Sequence, residues 1–151
     1  MFGCRREIQP RGATLGPGYQ GGLVSGNPLG MVAGLAPLRA LDDESIYQKL
    51  EASTRQLLQG LQAEADKAGV PFCTTQVGSM FGLYFSKGPI RGYADVGQCN
   101  LAAFNRFFHA MLKAGVYLAP SAYEAGFVSA AHGEAELAHT VAAARRAFAE
   151  A

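Results

Sequence analysis

The stretch CTTQVGSMFGLYFS, residues 73–86, decides what kind of fold this chain forms. It holds two short runs rich in β-branched and aromatic residues, 73–77 and 80–86, and only Gly78 and Ser79 separate them. Two such runs joined by a two-residue turn predict adjacent antiparallel strands. The rest of the fold therefore has to be arranged around a pair of strands in the middle of the chain.

Helical periodicity flanks these strands on both sides. Apolar residues recur at spacings of four, seven and four over residues 43–68, and Gly69 follows where a helix would end. After the strands, residues 101–112 and 134–149 each carry an apolar face of the same kind, and the first of these helices is predicted to end at 113–115, where Gly115 follows a lysine. The apolar face of the first of these three helices consists of Ile46, Leu50, Leu57 and Leu61.

An earlier helix is predicted to begin at Asn27, whose side chain is a good cap, with Pro28 in the first helical position. Because an interior proline removes one backbone hydrogen bond, we expect a kink or break at Pro37. Residues 116–119 and 126–130 predict two further short strands.

The order of these elements indicates an α+β fold. It is helix, helix, strand, strand, helix, strand, strand, helix, which favours a small, mostly antiparallel sheet with helices packed on one face. A length of 151 residues suits one domain of this type. We predict that residues 1–27 form a glycine-rich arm and that residues 28–151 form the domain.

The amino-acid composition of the chain indicates which kinds of binding partner it favours. Thirteen basic residues nearly balance twelve acidic ones, which argues against nucleic acid or an acidic membrane as a partner and favours a small molecule. Only 17% of the residues are charged, below the roughly 25% that is typical of soluble domains. We therefore expect part of the surface to be covered by another chain or by further sequence.

The cysteines and the first residues of the chain indicate the compartment. Cys4, Cys73 and Cys99 are odd in number and far apart, so they predict neither a disulfide framework nor a metal site. The stretch MFGCRREIQPRG, residues 1–12, is charged where a signal peptide would be apolar. No run approaches the roughly 18 to 20 apolar residues of a membrane span, and we expect a cytoplasmic protein.

A glycine-rich stretch precedes the first helix. Gly16, Gly18 and Gly21 have the spacing of the dinucleotide-binding fingerprint, which requires a strand before it and a helix directly after it. Residues 9–12 disfavour a strand, and the helix signal comes only at Asn27. We therefore interpret these three glycines as part of a loop rather than as a nucleotide site.

Two other stretches are candidates for chemistry. In YQGGLVSGNP, residues 19–28, paired glycines allow backbone N–H groups to converge on an anion, and the helix start adds further donors. In PSAYEAGFVSAAH, residues 120–132, Glu124 has small and apolar neighbours. Such surroundings raise the pKa of a carboxylate or favour its pairing with a cation. The structural alternatives are a tight turn and a structural carboxylate.

Ser129 and His132 offer a weaker candidate. They lie three residues apart, but the serine lacks the glycine pattern that surrounds the nucleophile of a hydrolase. We interpret them as ordinary polar residues at the end of a strand. The other histidines, His109 and His139, are scattered and predict no metal site.

Several runs of the chain carry a family resemblance, in order and over nearly its whole length. They are GCRREI (3–8), GYQGGLVSGNPLGMVAGL (18–35), GSMFGLYF (78–85) and FFHAMLKAGVYLAPSAYEAGFVSAAH (107–132), together with the helix that follows. These runs resemble the C-terminal part of the glutamate-1-semialdehyde 2,1-aminomutases, which are class III aminotransferase relatives among the fold-type I pyridoxal-phosphate enzymes. The resemblance implies the C-terminal small domain of that fold, a homodimer, and synthesis of 5-aminolevulinate for tetrapyrroles.

The resemblance also assigns roles to particular residues. In the family a Gly-Thr pair before SGNP reaches the cofactor phosphate of the neighbouring subunit. Gly22 matches the glycine, while Leu23 stands at the threonine position and has no hydroxyl group to donate. Ser25, Gly26 and Asn27 would shape the same cofactor wall, and residues 1–27 would be an arm of the large cofactor-binding domain. Glu124 matches the family's active-site glutamate, a polar partner near the cofactor and the substrate, glutamate-1-semialdehyde.

The Schiff-base lysine of the family stands upstream of the G-x-R-R-E-I run. Lys49, Lys67, Lys87 and Lys113 do not match that position, and the chain starts two residues before Gly3. We therefore expect a C-terminal part separated from its catalytic half and inactive alone. The alternatives are part of another class III aminotransferase, or a non-catalytic binding or assembly module.

Overall fold

The structure, a computed structural model, describes residues 26–151, which fall into two units. The first unit, Met1–Asp43, contributes one described helix, α1 (Pro28–Ala40). The second unit, Glu44–Ala151, contains four helices and three strands among the described residues. In chain order these are α2 (Glu44–Ala68), β1 (Cys73–Val77), β2 (Met80–Tyr84), α3 (Tyr93–Val96), α4 (Leu101–Lys113), β3 (Gly126–Phe127) and α5 (Glu134–Glu150).

The three strands form one antiparallel sheet in the order β1, β2, β3. The register of the first pair runs from Cys73 opposite Tyr84 to Val77 opposite Met80, with Gly78 and Ser79 in the turn. Gly78 has a φ of +59°, a conformation that favours glycine. The predicted fold class, an α+β domain with a small antiparallel sheet, is confirmed.

Two predicted strands are shorter in the structure, and a third predicted strand does not form. β2 ends at Tyr84 rather than at residue 86, and β3 covers two residues where residues 126–130 were predicted. Residues 116–119, predicted as a strand, lie outside the sheet. Sequence preference favours extended backbone at such positions, but a strand also needs a neighbouring chain to pair with. Residues 116–119 have no such neighbour among residues 26–151.

An aromatic cluster joins the sheet to the helices. Because side chains alternate along a strand, Phe81, Leu83 and Phe85 point to the same side, and all three are buried. Phe107 of α4 is completely buried, and its ring centroid lies 4.6 Å from that of Phe148 of α5 and 5.4 Å from that of Phe85. The helices therefore pack on this face of the sheet, as the sequence predicts.

Both long helices next to the sheet end in the same way. The N–H of Val70 donates to the carbonyl of Ala65 at 3.0 Å, and that of Val116 donates to Met111 at 2.9 Å. In each case the preceding residue is a glycine with positive φ, +69° at Gly69 and +84° at Gly115. This is the Schellman arrangement, which satisfies the last carbonyls of the helix. The predicted helix ends at Gly69 and Gly115 are therefore confirmed.

The start of α1 also follows the sequence. The Asn27 side-chain oxygen accepts hydrogen bonds from the backbone N–H groups of Leu29 (3.0 Å) and Gly30 (3.3 Å), and Pro28 is the first helical residue. The predicted break at Pro37 was wrong, because α1 continues to Ala40. Pro37 removes one donor, but its own carbonyl still accepts the N–H of Leu41 at 3.0 Å.

A buried carboxylate ties α2 to α5. The side chain of Glu64 is only 7% exposed, and its two oxygens bind Lys67 at 2.7 Å and Arg145 at 3.0 Å. The hydrogen bonds from Arg145 and then Lys67 hold the pKa of Glu64 below its ordinary value of 4.5, against the opposing effect of burial. Both cationic side chains are largely exposed, so this is a structural link rather than a closed site.

Among residues 26–151, no helix combines the length and the apolar character that crossing a bilayer requires.

Replacing Phe107 with alanine should lower the free energy of unfolding by about 3–5 kcal/mol, because the change removes the ring at the centre of the aromatic cluster. Urea unfolding followed by circular dichroism would measure the loss. Leu112→Ala, on the same helix at a position that is 43% exposed, is the matched control and should change stability much less. Equal losses in the two variants would contradict this account of the core. If Phe107→Ala does not fold, Phe107→Leu should give a smaller loss that is still above the control.

The Glu64 link should make stability depend on pH. A carboxylate with a lowered pKa stabilises the folded state fully above its ordinary pKa of 4.5, and this contribution is lost as the pH falls through the lower folded-state pKa. Urea midpoints of the wild type and Glu64→Gln should therefore differ at about pH 6 and converge as the pH falls below 4.5. The control Glu51→Gln removes an exposed pair with Arg55 and should change little at any pH. A Glu64 difference that stays constant with pH would contradict the prediction.

Candidate functional site

Glu124 lies in the loop between α4 and β3. The hydroxyl oxygen of Ser121 accepts the N–H of Tyr123 at 3.2 Å, and the carbonyl of Ser121 accepts the N–H of Glu124 at 3.0 Å. These two hydrogen bonds close a turn over residues 121–124, and one residue separates this turn from β3. Gly126 then pairs with Phe81 of β2, and a side chain at Gly126 would collide with the Phe81 ring. The glycine two residues after Glu124 is thus required by close packing.

A cavity of about 460 Å³ opens beside this loop, and we call it the α4–β3 cavity. Its floor is apolar and consists of buried core residues from both the sheet and the helices. One wall is the chain from residue 116 to residue 121, and another is β3. The floor residues are Leu57, Phe81, Leu83, Phe104 and Leu137.

Some of the polar residues that line this cavity are held by hydrogen bonds within the chain, and Glu124 is not. The Glu136 carboxylate accepts the N–H of Gly133 at 2.9 Å at the start of α5, and the Thr140 hydroxyl donates to the Glu136 carbonyl at 2.8 Å. Glu124 is exposed, and it forms no salt bridge with any residue in the range 26–151. Pairing of Glu124 with a cation, one of the two expectations for this residue, is therefore not observed within residues 26–151.

His132 also lines the cavity, and it contacts Ser129. The His132 Nδ1 accepts the backbone N–H of Ser129 at 3.0 Å, whereas the Ser129 hydroxyl oxygen lies 3.4 Å from the same nitrogen. Because the backbone already occupies Nδ1, this nitrogen is poorly placed to take a proton from the hydroxyl group. The pair closes the turn before α5, in agreement with the interpretation of these residues as structural.

The other residues singled out in the sequence lie elsewhere. Gly26, with a φ of +81°, and Asn27, which caps α1, belong to the first unit, whereas Glu124 belongs to the second. Gly22, Leu23 and Ser25 lie outside the described residues. Their predicted contact with a cofactor phosphate remains a prediction.

The two described cysteines are free and partly buried. Burial raises the pKa of both thiols, and each sulfur donates to a backbone carbonyl, Cys73 to Gly88 at 3.1 Å and Cys99 to Asp95 at 3.4 Å. A raised pKa keeps a thiol protonated and poorly nucleophilic. Within the described part of the chain, no group of three or more potential metal ligands occurs either.

None of the four described lysines lines the α4–β3 cavity, and neither does any described arginine. Lys67 binds Glu64, as noted above. Formation of a Schiff base needs an amine, and a phosphate group needs cations or converging N–H donors. The described residues around this cavity therefore do not form a complete site for a phosphorylated aldehyde cofactor.

Two features of this region were missed by the sequence analysis. Ser121 holds the turn that presents Glu124, and its position three residues before the glutamate, next to Pro120, is a detectable turn signal. Tyr93 of the short helix α3 places its ring 5.2 Å from that of Tyr123, beside the same glutamate. This second contact joins residues 30 positions apart, and no local pattern indicates it.

Comparison with known proteins gives a strong similarity in sequence. The glutamate-1-semialdehyde 2,1-aminomutase of Nitrosospira multiformis is 54% identical over 148 residues, which cover 98% of this chain and 35% of the relative. The chain thus spans about a third of the length of this curated relative. No protein-family model matches the chain.

Solved structures share the fold. An omega-transaminase from Sphaerobacter thermophilus superposes with a TM-score of 0.78 at 29% identity, over 91% of this chain and 32% of that one. The FumI protein of a Sphingopyxis species, solved in its PLP internal aldimine form, gives a TM-score of 0.62 at 29% identity, over 78% of this chain and 26% of that one. The chain is therefore similar to an aminomutase over almost its whole length, and its fold is one that transaminases share.

Proposed function

We propose that this chain is the C-terminal part of a pyridoxal-phosphate-dependent glutamate-1-semialdehyde 2,1-aminomutase, an isomerase that makes 5-aminolevulinate for tetrapyrrole synthesis. The observation that carries the proposal is the 54% identity over 148 residues to an enzyme of that name. Identity to the omega-transaminase is only 29%, so that comparison supports a common fold. The near balance of basic and acidic residues supports a small-molecule substrate, glutamate-1-semialdehyde, rather than nucleic acid or a membrane.

In this proposal the chain forms one wall of the reaction site. The Schiff-base lysine and most cofactor contacts come from the part of the enzyme outside this chain, because no amine or guanidinium group of residues 26–151 lines the α4–β3 cavity. Gly22 donates a backbone N–H to the cofactor phosphate, and Leu23 stands where a threonine would donate a hydrogen bond. Ser25, Gly26 and Asn27 shape the wall beside it. The complete enzyme is a cytoplasmic homodimer, in which this wall meets the cofactor of the neighbouring subunit.

Glu124 supplies the polar group of this wall. Its backbone is held by Ser121 on one side and by the pairing of Gly126 with Phe81 on the other. The carboxylate itself is exposed and has no salt bridge within residues 26–151, so it is available to an amine or a hydroxyl group. A side chain that is held by its backbone and free at its tip is suited to orienting a substrate.

A chimeric enzyme tests the proposed function. In this chimera the present chain replaces the matching 148 residues of the Nitrosospira multiformis aminomutase. The chimera should convert glutamate-1-semialdehyde to 5-aminolevulinate, because sequences that are 54% identical keep the same fold and site. A colorimetric assay of the product would measure this. The chain by itself should be inactive and should form no borohydride-reducible aldimine with the cofactor.

Two outcomes would contradict the proposed function. A folded chimera that binds the cofactor but exchanges amino groups only with external donors would indicate another aminotransferase. A folded chimera without cofactor binding would indicate a non-catalytic module.

The role of Glu124 can be tested in the same chimera. Glu124→Gln should lower kcat/KM by roughly 10- to 100-fold, because a hydrogen bond to a charged group contributes about 1.5–3 kcal/mol. Glu134→Gln, at an exposed glutamate in the first turn of α5, is the matched control and should leave kcat/KM within about twofold. The melting temperatures of the two variants should agree. Equal activities would remove Glu124 from the reaction site.

A further inference from the structure

The wall of the α4–β3 cavity contains backbone groups that have no partner among residues 26–151. After the N–H of Val116 donates to Met111 at the end of α4, no backbone hydrogen bond joins Tyr117, Leu118 or Ala119 to another of the described residues. These three residues have neither helical nor strand structure, and all three line the cavity. Backbone donors and acceptors in a folded protein are almost always paired or solvated. This segment therefore has free capacity for main-chain hydrogen bonds.

The opposite wall of the cavity is the end of the sheet. β3 pairs with β2 through Gly126 and Phe127, and no further strand follows it in the described sheet. A sheet edge of this kind presents unpaired N–H and C=O groups. The α4–β3 cavity thus has an unpaired backbone segment on one side and an unpaired sheet edge on the other.

The α4–β3 cavity has an apolar floor, and large apolar side chains are exposed at its walls. Its floor consists of buried core residues, and two large apolar side chains at its walls are mainly exposed, Tyr117 at 76% and Phe127 at 63%. Large apolar side chains grouped around a groove mark an interaction site more often than an ordinary surface. An occupant that covers both side chains would continue the hydrophobic core outward.

We infer that the α4–β3 cavity binds one extended, apolar segment from the part of the enzyme outside this chain, added beside Tyr117–Ala119 as a strand. The inference rests on the proposed function, since the curated relative has about two thirds of its length outside the matched region. In strand addition, main-chain hydrogen bonds provide affinity, and pockets for alternate side chains provide specificity. Here residues 117–119 offer the main-chain hydrogen bonds, and the apolar floor offers the surface for side chains.

The chemistry of the cavity favours a peptide segment over a small charged ligand. Its lining contains neither lysine nor arginine from the described residues, so an anionic ligand has no cation to bind. The charged groups that line it are the carboxylates of Glu124 and Glu136, and the latter is already held by Gly133. An uncharged segment with apolar side chains adds no anion that would need such a cation.

Amide hydrogen exchange of the isolated chain and of the chimera tests the inference. The amides of Tyr117, Leu118 and Ala119 should all exchange freely in the isolated chain. In the chimera, those that face the added strand, either Leu118 alone or both Tyr117 and Ala119, should slow by roughly 100-fold or more. The amide of Val116, which already donates within the chain, is the internal control and should be protected in both. If the chimera does not fold, the same measurement on the natural Nitrosospira multiformis enzyme at the aligned positions replaces it.

Two proline variants provide the second measurement. Leu118→Pro removes an N–H that has no described acceptor in this chain. Ala119→Pro removes the next N–H, which faces the opposite side of an extended segment. Both variants should leave the melting temperature of the isolated chain nearly unchanged, and the one whose N–H faces the added strand should lower that of the chimera by about 4 °C. Lys87→Pro, at an exposed loop position away from the cavity, is the matched control and should have the same effect in both proteins.

The outcomes separate this inference from the proposed function. An active chimera whose amides at 117–119 exchange freely would overturn the strand addition and leave the aminomutase proposal intact. Protection at these amides in an inactive chimera would support the strand addition and contradict the reaction. Protection already present in the isolated chain would mean that this chain, alone or as a second copy, occupies the cavity, and would overturn the inference.

Discussion

The contact between Phe107 and Phe148 is the interaction on which the second unit depends. These two rings come from α4 and α5, and both also lie within about 6 Å of Phe85, which follows β2. The cluster therefore holds the two helices and the sheet in one core. It also fixes both ends of the segment between Lys113 and Glu134, since α4 precedes that segment and α5 follows it. The position of Glu124 is thus a consequence of aromatic packing on either side of its loop.

Charge has a limited and local role in this unit. Glu64 is the one described acidic side chain with its carboxylate buried, and two cations neutralise it. By contrast, Glu124 lies at a cavity without lysine or arginine in its described lining, and its carboxylate is exposed. The same residue type is thus a structural link in one place and an available group in the other. What separates the two cases is whether the fold places a cation beside the carboxylate.

The open cavity and the low charge fraction have a common explanation. A surface that another part of the protein covers needs few charges, and it keeps apolar side chains such as Tyr117 and Phe127 exposed until it is covered. The relative that matches this chain is almost three times as long as the matched region. Under the proposed function, the cavity, the unpaired backbone of residues 117–119 and the exposed Glu124 all face the remainder of that enzyme.

The sequence by itself determined α1, α2, α4 and α5, the central pair of strands and the ends of α2 and α4, because these depend on neighbours within a few residues. Apolar spacing defines α2, α4 and α5, Asn27 caps α1, and Gly69 and Gly115 supply the positive φ that ends a helix. Only the tertiary structure decided that residues 116–119 pair with no strand of the described sheet, that β3 is two residues long, and that Glu124 lines a cavity beside core residues. Strand pairing and cavity shape depend on residues far apart in the chain, and periodicity carries no information about which distant segments meet.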